Sequence, residues 1–186
     1  MKNLNPTLWR TCRMLAGVHR LLLLRQLHDQ PGRSVAELAQ AVGIGRSDAS
    51  QELRRIQSRG LLRSAREGVR VVYRLEADPQ VPSAALLLKA LKATFSSLSP
   101  DHDGDLRQIA FGLAYPRRIA IAQALLAGPR TDLDLCTALK LSPFAVFNHA
   151  GILAKSGWIK RSNGARQLTV PAHPMAAALI RLLRAT

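Results

Sequence analysis

The chain has 186 residues, with 27 Lys and Arg against 12 Asp and Glu, a formal net charge of +15 and a pI near 11.4. That balance points to a polyanionic partner, whether nucleic acid, an anionic membrane surface or an acidic protein, and the length admits one domain or two small ones with a real core. Cys12 and Cys136 are too few for a disulfide framework and read as buried, reduced thiols. Apolar runs such as Leu21–Leu24 are too short to span a bilayer, and Arg10 and Arg13 interrupt any signal-peptide pattern. A cytoplasmic protein with no membrane partner is the expectation.

Residues 1–6 read as loose. Leu8 to Leu27 reads as one or two helices, with apolar positions at Leu8, Trp9, Cys12, Leu15, Val18 and the Leu21–Leu24 run. Pro31-Gly32 turns the chain. From Ser34 to Leu75 the pattern becomes helix, turn, helix and a two-stranded wing. The first helix, Val35–Val42, sets Val35, Leu38, Ala39 and Val42 on one face. Ser34 is its N-cap, Glu37 closes a capping box, and Gly43 is a left-handed stop. The second helix runs from Arg46 to about Arg59, with Ala49, Leu53 and Ile56 inward and Arg46, Ser47, Ser50, Gln51, Arg54 and Arg55 outward. Gly60 ends it. Leu61-Leu62-Arg63, a turn at Glu67-Gly68 and the alternating run Val69–Leu75 suit a hairpin. Arg46 to Leu75 holds eight Arg against three acids. A short helix supporting a second one with an arginine- and amide-bearing outer face is the arrangement that enters a DNA major groove.

Pro79 and Pro82 close the wing, and Ala84–Leu98 reads as a helix apolar enough to need broad packing. Ser96–Asp105 is a polar, turn-rich boundary. Beyond it the chain repeats itself. Leu15–Leu21 aligns with Leu113–Ile119 at an offset of 98. After one gap the offset is 97, pairing Leu38 with Leu135, Ala41 with Ala138, Ile44 with Leu141 and Gly60 with Gly157. Glu67-Gly68 pairs with Asn163-Gly164, and the closing segments Pro82–Thr94 and Pro174–Thr186 agree best. The expected fold is therefore mainly α with small β-hairpin wings: tandem winged helix-turn-helix domains at 1–98 and 99–186. The second copy reads as helices Leu106–Gly112 and Arg117–Leu126, a turn at Gly128-Pro129, a support helix Leu133–Leu139, a second helix Phe144–Ser156, a wing, and a terminal helix Met175–Ala185.

The stretch LAYPRRIAIAQALLAGP (Leu113–Pro129) resembles the opening helix of the ArsR-type family of bacterial winged helix-turn-helix repressors. Both copies also have that family's support helix, its turn, and its Gly-hydrophobic-hydrophobic-basic exit, Gly60-Leu61-Leu62-Arg63 and Gly157-Trp158-Ile159-Lys160. The resemblance implies a transcriptional regulator. Family members are usually homodimers, joined through their first and last helices and presenting two recognition helices to a palindrome. Two copies in one chain imply an intramolecular pseudo-dimer, with Ala84–Leu98 and Met175–Ala185 as the interface; separate domain cores are the other reading, and a further homodimer stays open. Metal sensing does not carry over. The paired-cysteine positions of the support helix fall on Thr131 and Leu133, Cys136 falls on a small core position, and Asp101-His102-Asp103 sits in the linker without a second histidine. Neither a metal nor a cofactor is expected; a small-molecule effector is not identifiable, and the space between the halves is where one would fit.

The resemblance places Arg46, Ser47, Ser50 and Gln51 where the family contacts bases and phosphates. The matching residues of the second copy are Pro143, Phe144, Phe147 and Asn148. Arg can read guanine, Gln and Asn adenine, and Phe the thymine methyl, unless the phenylalanines are buried. Ala150 and Gly151 replace Leu53 and Arg54, which would let the second helix sit closer to its support. Lys155, Lys160, Arg161 and Arg166 can hold phosphates, and Ser142 to Val170 contains no acid. On the wings, Arg66, Arg70, Arg161 and Arg166 are near enough to the turns for phosphate or minor-groove contact, unlike Arg74; solvated edge charge is the other reading.

Two function classes follow. The first is a sequence-specific double-stranded DNA-binding regulator, most simply a repressor, nucleoid-associated, with a strong first reader and a second that mainly positions. The alternative is an architectural or replication/partition protein using tandem winged helices for DNA and protein contacts, with Phe144 and Phe147 facing the protein. An enzyme is not expected: the chain has no phosphate loop, Gly-x-Ser-x-Gly or His-Glu-x-x-His, and His149 reads as a DNA-facing or surface histidine.

Overall fold

The computed structural model describes residues 6–185 and divides the chain into two compact units. The first joins Met1–Pro6 to Gly17–Asp103; the second joins Thr7–Ala16 to Gly104–Thr186. Residues 1–5, which fall in the segment read as loose, and Thr186 lie outside the described residues. A cut at 98/99 therefore shifts at both ends. The helix α1 (Leu8–Leu15) belongs to the second unit, where it buries Leu8, Cys12 and Leu15 and brings Cys12 near Arg118.

In the first unit, α2 (Val18–Asp29) starts after a break at Ala16-Gly17, so Leu8–Leu27 is two helices. A short strand β1 (Arg33–Ser34) leads into α3 (Val35–Val42), whose start is fixed by a reciprocal cap. The Glu37 amide donates to Ser34 Oγ at 3.4 Å, and the Ser34 amide donates to the Glu37 carboxylate at 2.8 Å. Gly43, at φ 73°, stops the helix in the left-handed region. Helix α4 (Arg46–Gln57) buries Ala49, Leu53 and Ile56 completely, and Leu38 and Ala39 of α3 are buried beside Val35 and Val42, which are half-buried.

Strands β2 (Arg63–Glu67) and β3 (Arg70–Arg74) form the wing, and β1 adds to the outer edge of β3 in the order β1-β3-β2. The pairing Glu67↔Arg70 brackets Gly68-Val69, so the turn lies one residue beyond Glu67-Gly68. Gly68, at φ 60°, takes the first central position that a type II′ turn reserves for glycine, and Val69 is left at the tip, 93% exposed. Helix α5 (Pro82–Ser97) closes the unit, and its end is held by Arg25 of α2. This buried guanidinium donates to both Asp103 carboxylate oxygens (2.9 and 2.5 Å) and to the carbonyls of Phe95 and Leu98 (3.4 Å), and lies 4.5 Å over the Phe95 ring. Asp103, read in the sequence as part of an acid–histidine cluster, is thus engaged by an arginine.

The second unit adds to α1 the helices α6 (Asp103–Gly112) and α7 (Pro116–Ala124), the latter running into a 3-10 turn at Leu125–Ala127. Then come α8 (Asp132–Leu139), α9 (Pro143–Lys155), strands β4 (Ile159–Ser162) and β5 (Ala165–Leu168), and α10 (Pro174–Ala185). Thr131 and Asp134 make a reciprocal cap on α8, and Asn163-Gly164, both at positive φ, form the wing turn. An isolated bridge, Arg130↔Arg166, stands where the first unit has β1. Trp158 is fully buried, and its Nε1 donates to the Ile109 carbonyl at 2.8 Å. Gly112 makes the room, since a Cβ there would stand 2.5 Å from Trp158 Cδ1. Among the described residues no helix is long and apolar enough to cross a membrane.

Lys140 ends α8 at φ 53°, where its counterpart Gly43 carries no side chain. A Cβ in the left-handed region costs on the order of 1 kcal/mol. Lys140→Gly is therefore expected to stabilise the protein by about 1 kcal/mol in urea unfolding. Arg25→Ala takes the donor from the half-buried Asp103 carboxylate and from the Phe95 and Leu98 carbonyls, and should destabilise by about 2 kcal/mol in the same measurement.

Candidate nucleic-acid interface

The buried stripe of α4 sets what the helix turns outward. Ser47, Gln51, Arg54 and Ser58 follow one another at helical spacing opposite Ala49, Leu53 and Ile56, with Arg46 and Ser50 on one flank and Glu52 and Arg55 on the other. Arg46, Ser47, Gln51, Arg54 and Arg55 are exposed; Ser50 is half-buried and accepts from Arg54 Nη2 at 3.3 Å. Glu52, which the sequence reading passed over, is the anchor of this surface. It receives Arg20 of α2 at 2.7 Å and Arg55 at 2.6 Å, tying the outward helix to α2 while neutralising part of its charge. Its signal was an acid three residues before Arg55, a spacing that brings side chains together on a helix.

On the first wing, Arg66 is exposed and Arg70 lies 3.7 Å from Glu37. Arg74, discounted for its distance from the turn, is paired with Glu67 at 2.7 Å, and Arg63 with Glu76 at 2.9 Å. Exposed pairs of this kind are worth little, so Arg55 and Arg70 can exchange a carboxylate for a phosphate at small cost. Among the described residues Arg46, Arg54 and Arg66 have no acidic partner. Glu37 is held below the usual carboxylate range, first by the Ser34 hydroxyl and amide and then by Arg70 and Arg33, so it stays ionised as a local counter-charge.

The second unit presents a different face. Helix α9 buries Val146, Ala150 and Leu153 and turns out Phe144 (75% exposed), Phe147 (67%) and Asn148. The alternative that the phenylalanines are buried is therefore set aside. Ala150 packs inward, but Gly151 does not bring the helix nearer its support: a Cβ at Gly151 would meet nothing within 4 Å. Lys155, Lys160 and Arg161 are exposed.

Arg166 requires a correction. It is buried, and its guanidinium forks onto the Asp132 carboxylate at the start of α8, with Nη2 donating at 3.0 Å and Nε donating to the other oxygen. It braces the wing against α8 and is withdrawn from any surface contact. His149 is also not DNA-facing: it is half-buried and stacked on Tyr115, with centroids 5.1 Å apart, and burial together with Arg118 and Arg117 lowers its pKa. Cys12 is buried and its thiol is pushed far up by desolvation, whereas Cys136 is half-buried; both are free.

Residues 17–70, from the start of α2 to the first residue of β3, match the MarR family. Over 59 residues the chain is 39% identical to the HTH-type transcriptional regulator YgaV of Escherichia coli (strain K12), a stretch covering 32% of this chain and 60% of that protein. No solved structure matches. These matches agree with the winged helix-turn-helix form of the first unit; the ArsR-type likeness and the doubling of the chain are finer assignments than they carry.

The placement of Arg166 separates two roles that its position in the wing had merged. Asp132 is held below the usual carboxylate range, chiefly by the Arg166 hydrogen bond. A depressed carboxylate contributes stability above its unfolded pKa of about 4, and loses it as pH falls through the folded value. Arg166→Gln should therefore lower unfolding stability by about 2 kcal/mol at pH 7. The gap to the parent should close as pH falls below about 4. Urea titrations across pH check this, and Arg161→Gln, which acts on Asp132 only through its charge from an exposed strand, should change stability far less.

Proposed function

We propose that the chain is a sequence-specific double-stranded DNA-binding transcriptional regulator, acting as a repressor by occluding a promoter. It carries two non-identical winged helix-turn-helix copies of ArsR-type build in one polypeptide and works in the cytoplasm on the nucleoid. The observation that carries this reading is the outward face of α4, where Arg46, Ser47, Gln51 and Arg54 stand exposed on a helix whose rotation is fixed by a fully buried stripe. A helix of that kind, flanked by a basic wing, suits major-groove base contact with phosphate contact beside it. The MarR-family match and the name of the similar regulator support the same class.

Doubling within the chain is supported by the caps as well as by the repeat. Ser34, Glu37 and Gly43 correspond at an offset of 97 to Thr131, Asp134 and Lys140, and both sets cap a support helix. In this reading the chain does alone what two chains do in a homodimer. Arg46, Ser47, Ser50, Gln51, Arg54, Arg55, Arg66 and Arg70 serve one half-site, and Phe144, Asn148, Lys155 and Arg161 the other. An architectural or partition role is the second reading, favoured by the exposure of Phe144 and Phe147, which suits a protein contact.

Selection of bound sites from random duplex DNA, with the mass of the complex measured by light scattering, tests the proposal. The expected result is a motif of two dissimilar halves bound by one chain, with affinity falling on a log–log salt slope of about −0.9 per phosphate contacted. Gln51→Ala should relax preference at one base position, whereas Arg66→Ala should weaken all sites alike. Tight, salt-sensitive binding with no enriched motif would replace regulation with the architectural reading.

A further inference from the structure

We infer that the outer face of α9 reads thymine: Phe144 and Phe147 receive thymine C5-methyl groups in the major groove, and Asn148 hydrogen-bonds an adjacent adenine. This rests on the DNA-binding reading above and adds the base class that the second copy selects.

Three observations converge on it. Phe144 and Phe147 are among the most exposed large apolar side chains of the described residues, and with Asn148 they occupy one side of α9, opposite Val146, Ala150 and Leu153. Gly151 lies in the middle of that side. Glycine inside a helix is unfavourable, and here neither backbone nor packing asks for it: its φ is not positive and its Cβ would enter open space. At the same position α4 carries Arg54. The bare backbone at Gly151 leaves a shallow floor between the two rings and the amide, shaped for close approach of a partner from outside. The surroundings then select the partner. Ser142 to Val170 contains no acid, and Lys155, Lys160 and Arg161 are exposed. An apolar centre whose own helix and wing carry only basic charge suits a polyanion that carries apolar groups. In the major groove that group is the thymine methyl, and the amide geometry that matches adenine N6 and N7 is the one Asn148 supplies. Helix α4 offers arginine, serine and glutamine and no exposed aromatic ring, so the two copies select different bases.

The test uses the full chain and a duplex it binds, prepared with thymine and again with deoxyuridine at every thymine, which removes only the C5-methyl groups. Affinity is read by fluorescence anisotropy. The parent protein is expected to lose about fourfold for each methyl contacted, the worth of one buried methylene-sized group. The double variant Phe144→Ala, Phe147→Ala should bind the thymine duplex more weakly and discriminate less between the two duplexes, by that same factor per methyl. Both rings are exposed, so the variant keeps its core, which thermal melting verifies. Gly151→Ala should melt higher than the parent and bind the thymine duplex less well. Equal binding of both duplexes by the parent, or undiminished discrimination by the double variant, overturns the inference and leaves DNA binding standing. Failure to bind any duplex overturns both, and capture of a protein by the two rings without methyl discrimination assigns the face to that protein.

Discussion

One constraint governs the rest: a helix can bury Ala49, Leu53 and Ile56 in only one rotation about its axis. Once that stripe is seated under α2 and α3, the outward residues of α4 have no freedom over where they point. The Arg20–Glu52 ion pair to α2 holds the same rotation from the flank. Such rigidity suits the base-reading role proposed for this face, because hydrogen bonds to base edges tolerate little angular error, and ordering the helix on binding would subtract from the affinity. The same constraint acts in α9 through Val146, Ala150 and Leu153. There it turns phenylalanine and asparagine outward.

The two units therefore separate what builds the fold from what faces away from it. Their caps, stops and buried stripes correspond, while the outward positions do not. The difference shows in one place: Lys140 makes with a side chain the left-handed stop that Gly43 makes without strain.

How much of this was legible in the sequence depends on how local the determining physics is. Helix α3 was readable to the residue, because its ends are set by Ser34, Glu37 and Gly43 within one turn. The inward residues of α4 were readable from their spacing alone. Strand β1 was not, because two residues show no alternation, and its pairing with Tyr73 and Val72 is decided by distant chain. Arg166 looked like its neighbours because arginines in a hairpin are alike until a partner distinguishes them, and Asp132 lies 34 positions earlier, on another element. Helix α1 announced that it had an apolar face but not which unit would cover it; amphipathicity specifies burial and leaves the partner open. The exposure of Phe144 and Phe147 was undecidable for the related reason that an aromatic pair is consistent with either face of a helix until the buried stripe is known.

The Arg25 clamp changes the character of the segment that follows α5. By composition Ser96–Asp105 is an ideal place for a protease to cut: polar, rich in serine and aspartate, and between two apolar helices. Yet the Ser97 hydroxyl is turned back onto the Ala93 carbonyl, Leu98 is held by its carbonyl and Asp103 by both its carboxylate oxygens, and a 3-10 turn at Pro100–His102 fills the interval. A protease needs the chain extended and loose across its cleft, and here the chain is curled and fastened at each end. The first unit thus ends in a knot of its own hydrogen bonds, so nicking at this boundary requires prior local unfolding of α5 and reports on that opening, not on the flexibility of a linker.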